Sequence, residues 1–155
     1  MSETLLIQYR GPDAPLAWLE LDPRGQSRRA PGTGQRLDPA ALAGVDRVIV
    51  LLPAERATVL AAEVPARGRE QLAKAVPFAV EDRLIDPLEV LHLTFDELPE
   101  GGQRVVALRQ DLLAEWLADL RARGVAPDAA RLDVLALPWR PDRASPKRIG
   151  SSTAP

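Results

Sequence analysis

Arg47-Val48-Ile49-Val50-Leu51-Leu52 is the stretch on which the fold turns. Its last five residues are apolar, without alternation. A strand covered on both faces reads this way, which is the habit of strands inside α/β layers. Upstream, Thr4 to Tyr9 alternates Leu5, Ile7 and Tyr9 with Leu6 and Gln8 and reads as a strand. Gly11-Pro12-Asp13 makes a turn, Leu16 to Leu21 a second strand, and Asp22-Pro23-Arg24-Gly25 closes it with turn chemistry. Gln26 to Ala30 suits a short third strand, followed by a loop from Pro31 to Gln35. Asp38 before Pro39 has the form of an N-cap with proline at the first helical position, and the short helix Pro39 to Ala43 stops at Gly44. Three strands, a helix and a buried strand make half of an α/β layer.

A second unit follows. Ala57 to Val64 reads as a strand and Arg67 to Asp86 as a long helical stretch. Leu88 to Leu98 and Gln103 to Arg109 are strands joined by Pro99-Glu100-Gly101-Gly102. Asp111 to Arg123 is a helix, capped by Asp111 and ended by Gly124; Leu112, Leu113, Trp116, Leu117 and Leu120 form its apolar face. Arg131 to Leu137 is a last strand ended by Pro138. The order strand, helix, strand, strand, helix, strand is a split β-α-β arrangement. From Arg140 to Pro155 the hydrophobic period is lost and a linker or tail is expected.

Composition narrows the function classes. A chain of 155 residues with 46% apolar residues buries one good core or two small ones. Its net charge of −2, with acids and bases interspersed, argues against nucleic acid as main partner, because phosphate contacts need a basic face. Without cysteine there is no disulfide framework and no thiolate site. The longest apolar run, Val48 to Leu52, is far shorter than the roughly 20 residues of a bilayer span, so any membrane attachment is expected from a segment outside this chain.

The catalytic inventory is thin. His92 is the one histidine and lies in a strand pattern with Val90 and Thr94, where a structural role is expected; no spacing supplies a nucleophile and an orienting carboxylate. One histidine and no cysteine make a poor metal site. Neither G-x-x-x-x-G-K-[ST] nor G-x-G-x-x-G occurs, and Gly32-Thr33-Gly34 is a glycine pair in a loop. No cofactor is expected.

Leu72-Ala73-Lys74-Ala75-Val76-Pro77-Phe78-Ala79-Val80-Glu81-Asp82-Arg83-Leu84 is the most informative stretch for function. Leu72, Val76, Val80 and Leu84, with Ala75 and Ala79, make one apolar stripe. Phe78 and Ile85 fall on the other side, among Lys74, Glu81 and Asp82. Two readings follow: Pro77 kinks the helix, resets its phase and returns Phe78 to the core, or Phe78 and Ile85 form an exposed patch rimmed by acids, as a partner surface would.

Val64-Pro65, Arg69, Leu72, Ala75-Val76-Pro77-Phe78, Val80-Glu81-Asp82, Leu84 and Leu91-His92 together resemble the cytoplasmic region of the type II secretion system L proteins. Gly124-Val125-Ala126-Pro127-Asp128 and Leu135-Ala136-Leu137-Pro138-Trp139 also look like that family. The resemblance implies an actin-like (ribonuclease H-like) first subdomain over 1–56, a split β-α-β second subdomain over 57–127, the first strand of a third over 128–139, and a tail over 140–155. That last strand would lie unpaired or on a neighbour. It implies a scaffold without catalysis at the cytoplasmic face of the bacterial inner membrane. Its partners would be the secretion ATPase (E component), through that ATPase's N-terminal domain, the M-type inner-membrane protein, and a second copy of itself. The residues expected to contact the partner are Phe78, Glu81, Asp82, Asp86, Val90 and His92. The competing reading is an actin-like nucleotide-binding protein or ATPase. It rests on fold analogy alone, and the hairpin Ile7-Gln8-Tyr9-Arg10-Gly11-Pro12-Asp13 lacks an acid at the end of its strand.

Overall fold

The computed structural model describes residues 3–136. Strands β1 (Thr4–Gln8) and β2 (Leu16–Leu21) form an antiparallel hairpin, β3 (Gly32–Gly34) pairs with β2, and β4 (Arg47–Leu52) lies parallel to β1. In β4 the alternation hidden in the sequence appears: Val48, Val50 and Leu52 are buried, while Ile49 and Leu51 are half-buried. One face is sealed and the other only partly covered, so the uninterrupted apolar run does not mark a strand enclosed on both sides. Between β3 and β4, Asp38 accepts a hydrogen bond from the Ala40 amide and starts the 3-10 turn Pro39–Leu42.

The third strand is not where the sequence placed it. Gln26 to Ala30 makes only one bridge, Leu21 with Ser27, and the pairing belongs to Gly32–Gly34. The reason is steric. A Cβ at Gly32 would collide with the Trp18 ring, so glycine lets the backbone cross the indole and pair.

The second sheet holds β5 (Thr58–Ala62), β6 (Leu91–Glu97) and β7 (Gln103–Arg109), in the order β5-β7-β6 with both pairings antiparallel. Helix α1 (Arg69–Val80) connects β5 to β6. It is shorter than the expected 67–86. Gly68 has a φ of 84°, outside the helical region, and beyond Val80 the chain tightens into a 3-10 turn, Glu81–Arg83. Pro87 keeps Asp86 from helical geometry. Another 3-10 turn, Leu88–Val90, takes the place of the strand start expected at Leu88.

Helix α2 (Gln110–Ala122) returns to the first sheet. Trp116 and Leu120, with Val125 just beyond the helix, join Leu5, Ile7, Val50 and Leu52 in the main core. The helix begins at Gln110 rather than being capped by Asp111, whose carboxylate accepts from the Leu112 amide within the first turn. It ends as expected at Gly124, where the Gly124 and Val125 amides donate to the Arg121 and Leu120 carbonyls. The last strand is β8 (Ala129–Leu132), earlier and shorter than Arg131 to Leu137. It is neither unpaired nor on a neighbouring molecule: it lies parallel to β4 and completes a five-stranded sheet in the order β3-β2-β1-β4-β8. Leu137, Pro138, Trp139 and the tail from Arg140 lie outside the described residues.

Candidate partner-binding surface

The α1 stripe decides what the helix shows to solvent. Val76 and Val80 are buried against Val105, with Leu72 and Leu84 packed alongside and Leu60, Leu93 and Phe95 beneath them. Phe78 stands two residues from each valine, about 200° around the helix, and is 74% exposed; Ile85 is fully exposed at 100%. Pro77 lies inside α1, and the helix runs past it to Val80 without losing phase. The exposed reading of Phe78 therefore holds, and the reading that returns it to the core does not.

Glu81 and Asp82 occupy the 3-10 turn that follows α1, and both are exposed. The turn is fixed by Arg83, whose Nη1 donates to the Ala61 carbonyl on β5 at 2.7 Å. Asp86 has a different job. It accepts from Arg109 Nη1 at 3.0 Å, while the same guanidinium donates to Asp111 from Nε at 3.1 Å and from Nη2 at 2.9 Å. The Arg109 hydrogen bonds, then the Leu112 amide, hold the Asp111 carboxyl below its usual range. The Asp111 carboxylate in turn raises the Arg109 guanidinium. Asp86 is thus one end of a charged strap between the segment after α1 and the start of α2.

Val90 is half-buried at the end of its 3-10 turn. His92 is exposed and pairs in register with Leu108, on the side of β6 opposite Leu91, Leu93 and Phe95. It faces away from α1. Of the six residues expected to act together, the structure gathers Phe78, Glu81 and Asp82; it ties Asp86 inward, half-covers Val90 and puts His92 on the other face of the sheet. An exposed Phe78 followed by two exposed carboxylates suits a partner with an apolar pocket and a basic rim.

A polar cluster escaped the sequence reading. Arg123 is 7% exposed, pairs with Asp119 at 3.1 Å, and donates to the carbonyls of Ala14 at 2.7 Å, Gly11 at 3.4 Å and Pro12. Tyr9 donates its hydroxyl to Asp119 at 2.8 Å and meets Trp116 edge-on at 6.0 Å. Burial first, then the Asp119 hydrogen bond, pushes the Tyr9 phenol upward. The available signal was the i, i+4 spacing of Asp119 and Arg123 on a helix. Among the described residues, no three His, Cys, Asp or Glu side chains cluster as metal ligands, and no helix is long and apolar enough to cross a membrane.

A family model described as type II secretion system (T2SS), protein L, matches residues 18–152. The type II secretion system protein L of Pseudomonas aeruginosa is 37% identical over 131 residues, covering 83% of this chain and 32% of that protein. Its counterpart from Pectobacterium carotovorum is 29% identical, covering 82% of this chain and 31% of that protein. Among solved structures, the cytoplasmic domain of EpsL, an inner membrane component of the type II secretion system of Vibrio cholerae, superposes with a TM-score of 0.65 at 26% identity, covering 90% of this chain and 61% of that one. The chain thus spans about a third of the length of the curated relatives it matches.

Proposed function

This chain belongs to the type II secretion system protein L family, and on that premise we propose that it is a non-catalytic scaffold that recruits the secretion ATPase (E component) to the inner-membrane platform from the cytoplasmic side. The single observation that carries the reading is exposed Phe78, held outward by a helix whose opposite stripe is buried, with exposed Glu81 and Asp82 in the turn that follows it. Large apolar residues exposed beside charged ones are how a docking surface is built. The M-type inner-membrane protein and a second copy of the chain are further proposed partners, with membrane attachment through a segment outside it.

The actin-like reading of the first sheet draws support from its strand order, with an antiparallel β1-β2-β3 meander followed by β4 and β8 parallel to β1. Arg123 weighs against nucleotide binding at its hairpin. Three backbone carbonyls of the Gly11–Ala14 turn point at a buried guanidinium, so that turn is built around a cation of the protein's own.

The test is a titration of the ATPase's N-terminal domain into this chain. The wild type is expected to form a one-to-one complex, and Phe78→Ser or the double reversal Glu81→Lys, Asp82→Lys to weaken it about tenfold or more with an unchanged circular dichroism spectrum. Wild-type affinity in both variants would remove this surface from the dock. A parallel titration with Mg-ATP that released heat saturably would reopen the enzyme reading.

A further inference from the structure

Strand β6 lies at one side of its sheet and pairs with β7 alone among the described residues. Apolar cover falls off toward it. On the α1 side of the sheet, Val105 and Ala107 of β7 are buried, while Leu93 and Phe95 of β6 are only half-buried. The helix lies closest to β5, the opposite edge, so the apolar row of β6 is left short of cover. The backbone points the same way. The Leu98 amide donates to the Gly102 carbonyl at 2.9 Å, and the Leu98 carbonyl accepts from the Gly101 amide at 3.0 Å. Backbone groups alternate sides along an antiparallel strand, so those of Thr94 and Asp96 also turn to β7, and those of Leu93 and Phe95 turn outward. One end of the edge is closed, where Gln110 Nε2 donates to the Leu91 carbonyl at 2.9 Å. What remains is a short template for another strand.

The side chains of β6 select that strand. Leu91-His92-Leu93-Thr94-Phe95-Asp96-Glu97 is complementary to itself when a second copy runs antiparallel about Thr94. Residues directly opposite each other then share a face. On the α1 face, Leu93 stands opposite Phe95 of the second copy, and Phe95 opposite its Leu93. On the other face, exposed His92 stands opposite exposed Asp96 in both directions, and Thr94 meets Thr94 on the axis. Asp96 is available for this, because it holds Arg104 Nη2 only at 3.4 Å. A shift of two residues is the smallest that keeps each face on its own side. It sets Thr94 against His92 or Asp96 and loses the histidine–carboxylate pairs.

We propose that two copies of this chain join through β6, antiparallel about Thr94, so that their three-stranded sheets become one continuous sheet with a twofold axis. Leu93 and Phe95 of each copy exchange backbone hydrogen bonds with the other and cover its half-buried side chains. The inference rests on the second-copy partnership proposed above and not on the ATPase dock, since Phe78 stands on the outer side of α1 and takes no part in the seam.

The chain has no cysteine, so single cysteines placed in the full chain map the seam. Opposed residues in a non-hydrogen-bonded pair have Cα atoms about 4.5 Å apart, within disulfide reach. Thr94→Cys is expected to give a covalent dimer under mild oxidation, and Phe78→Ser added to it should leave the yield unchanged. His92→Cys and Asp96→Cys should each stay monomeric alone, because each lies roughly 13 Å or more from its own copy. Mixed, they should cross-link as a heterodimer, and this pair carries the test should Thr94→Cys fail to fold. Sedimentation of the wild type over a concentration series separates the two ways to fail. A monomer at every concentration overturns the second-copy partnership and the seam with it. A dimer overturns the seam alone if neither Thr94→Cys nor the mixed pair cross-links, or if His92→Cys cross-links as well alone as mixed.

Discussion

Each sheet of this protein receives one helix, yet the two helices bury very different amounts. Under α2, Trp116 and Leu120 join a buried cluster of 13 residues that reaches from Leu5 to Leu132. Under α1 the corresponding cluster has three, Val76, Val80 and Val105, with half-buried neighbours around them. Local opening costs less where fewer apolar contacts must be broken. The region that presents Phe78, Glu81 and Asp82 is therefore the less stable one, and it is tied to the α2 start by the Asp86–Arg109–Asp111 strap and by Gln110, whose Nε2 donates to the Leu91 carbonyl at 2.9 Å. Stability and display are divided between the two regions: one holds the large buried cluster, the other keeps a fully exposed isoleucine and a largely exposed phenylalanine.

The largest expected effect breaks the main core. Leu120 is fully buried, so Leu120→Ala should cost about 3–5 kcal/mol, from lost transfer energy and the cavity left behind. Val76 is nearly as buried, but the smaller side chain and looser cluster set the cost of Val76→Ala near about 2 kcal/mol. Urea midpoints measure both. Hydrogen exchange separates them: Val76→Ala should speed exchange in β5, β6 and β7 while β1 and β4 keep their protection. Equal acceleration in both sheets would mean that the two clusters open as one, and the contrast between the regions would fail.

A middle-sized effect probes the rim of the larger region. A Cβ at position 32 has no room beside the Trp18 ring, so Gly32→Ala forces the indole or β3 to move, at about 1–3 kcal/mol. Trp18 only packs against the main cluster without belonging to its buried set. The damage should stay local: near-ultraviolet dichroism changes, and exchange in β4 does not. Loss of β4 protection would show that the edge and centre of this sheet are one unit.

Much of this organisation was legible in the sequence. The alternation of Leu5, Ile7 and Tyr9 marked β1, and the period of Leu112, Trp116 and Leu120 marked the inner face of α2. Periodicity names a face but not what it packs on, so the return of α2 to the first sheet was hidden. Gly32-Thr33-Gly34 has two strand-poor glycines around one threonine; pairing across Trp18 makes it β3, a tertiary effect that local sequence does not encode. The same holds for Ala129 and Ala130, whose strand state comes from lying along Ile49 and Val50. At the site, the α1 stripe told which side Phe78 shares, but Pro77 left two phases open until the helix was seen to pass through it. His92 was placed correctly beside Thr94, yet alternation along a strand does not say which face the crossover helix covers.

The smallest effect concerns the strap. Asp111 is exposed, and its carboxyl is held low first by Arg109 and then by the Leu112 amide. A carboxylate whose folded pKa lies below its unfolded value, about 3.9, stabilises the fold above that unfolded value and loses the contribution as pH falls through the folded one. The wild type should therefore exceed Asp111→Asn in stability by a constant small margin from neutral pH down to about 5, and the margin should close below about 4. Solvent and salt screen an exposed pair, so added salt should also narrow it. Asp86→Asn removes the other end of the strap. If the strap couples the two regions, both variants should speed exchange in β6 more than in β1. A margin that persisted after the folded Asp111 carboxyl had itself protonated would assign the effect to the shape of the side chain, and the charge of the strap would not be what couples the two regions.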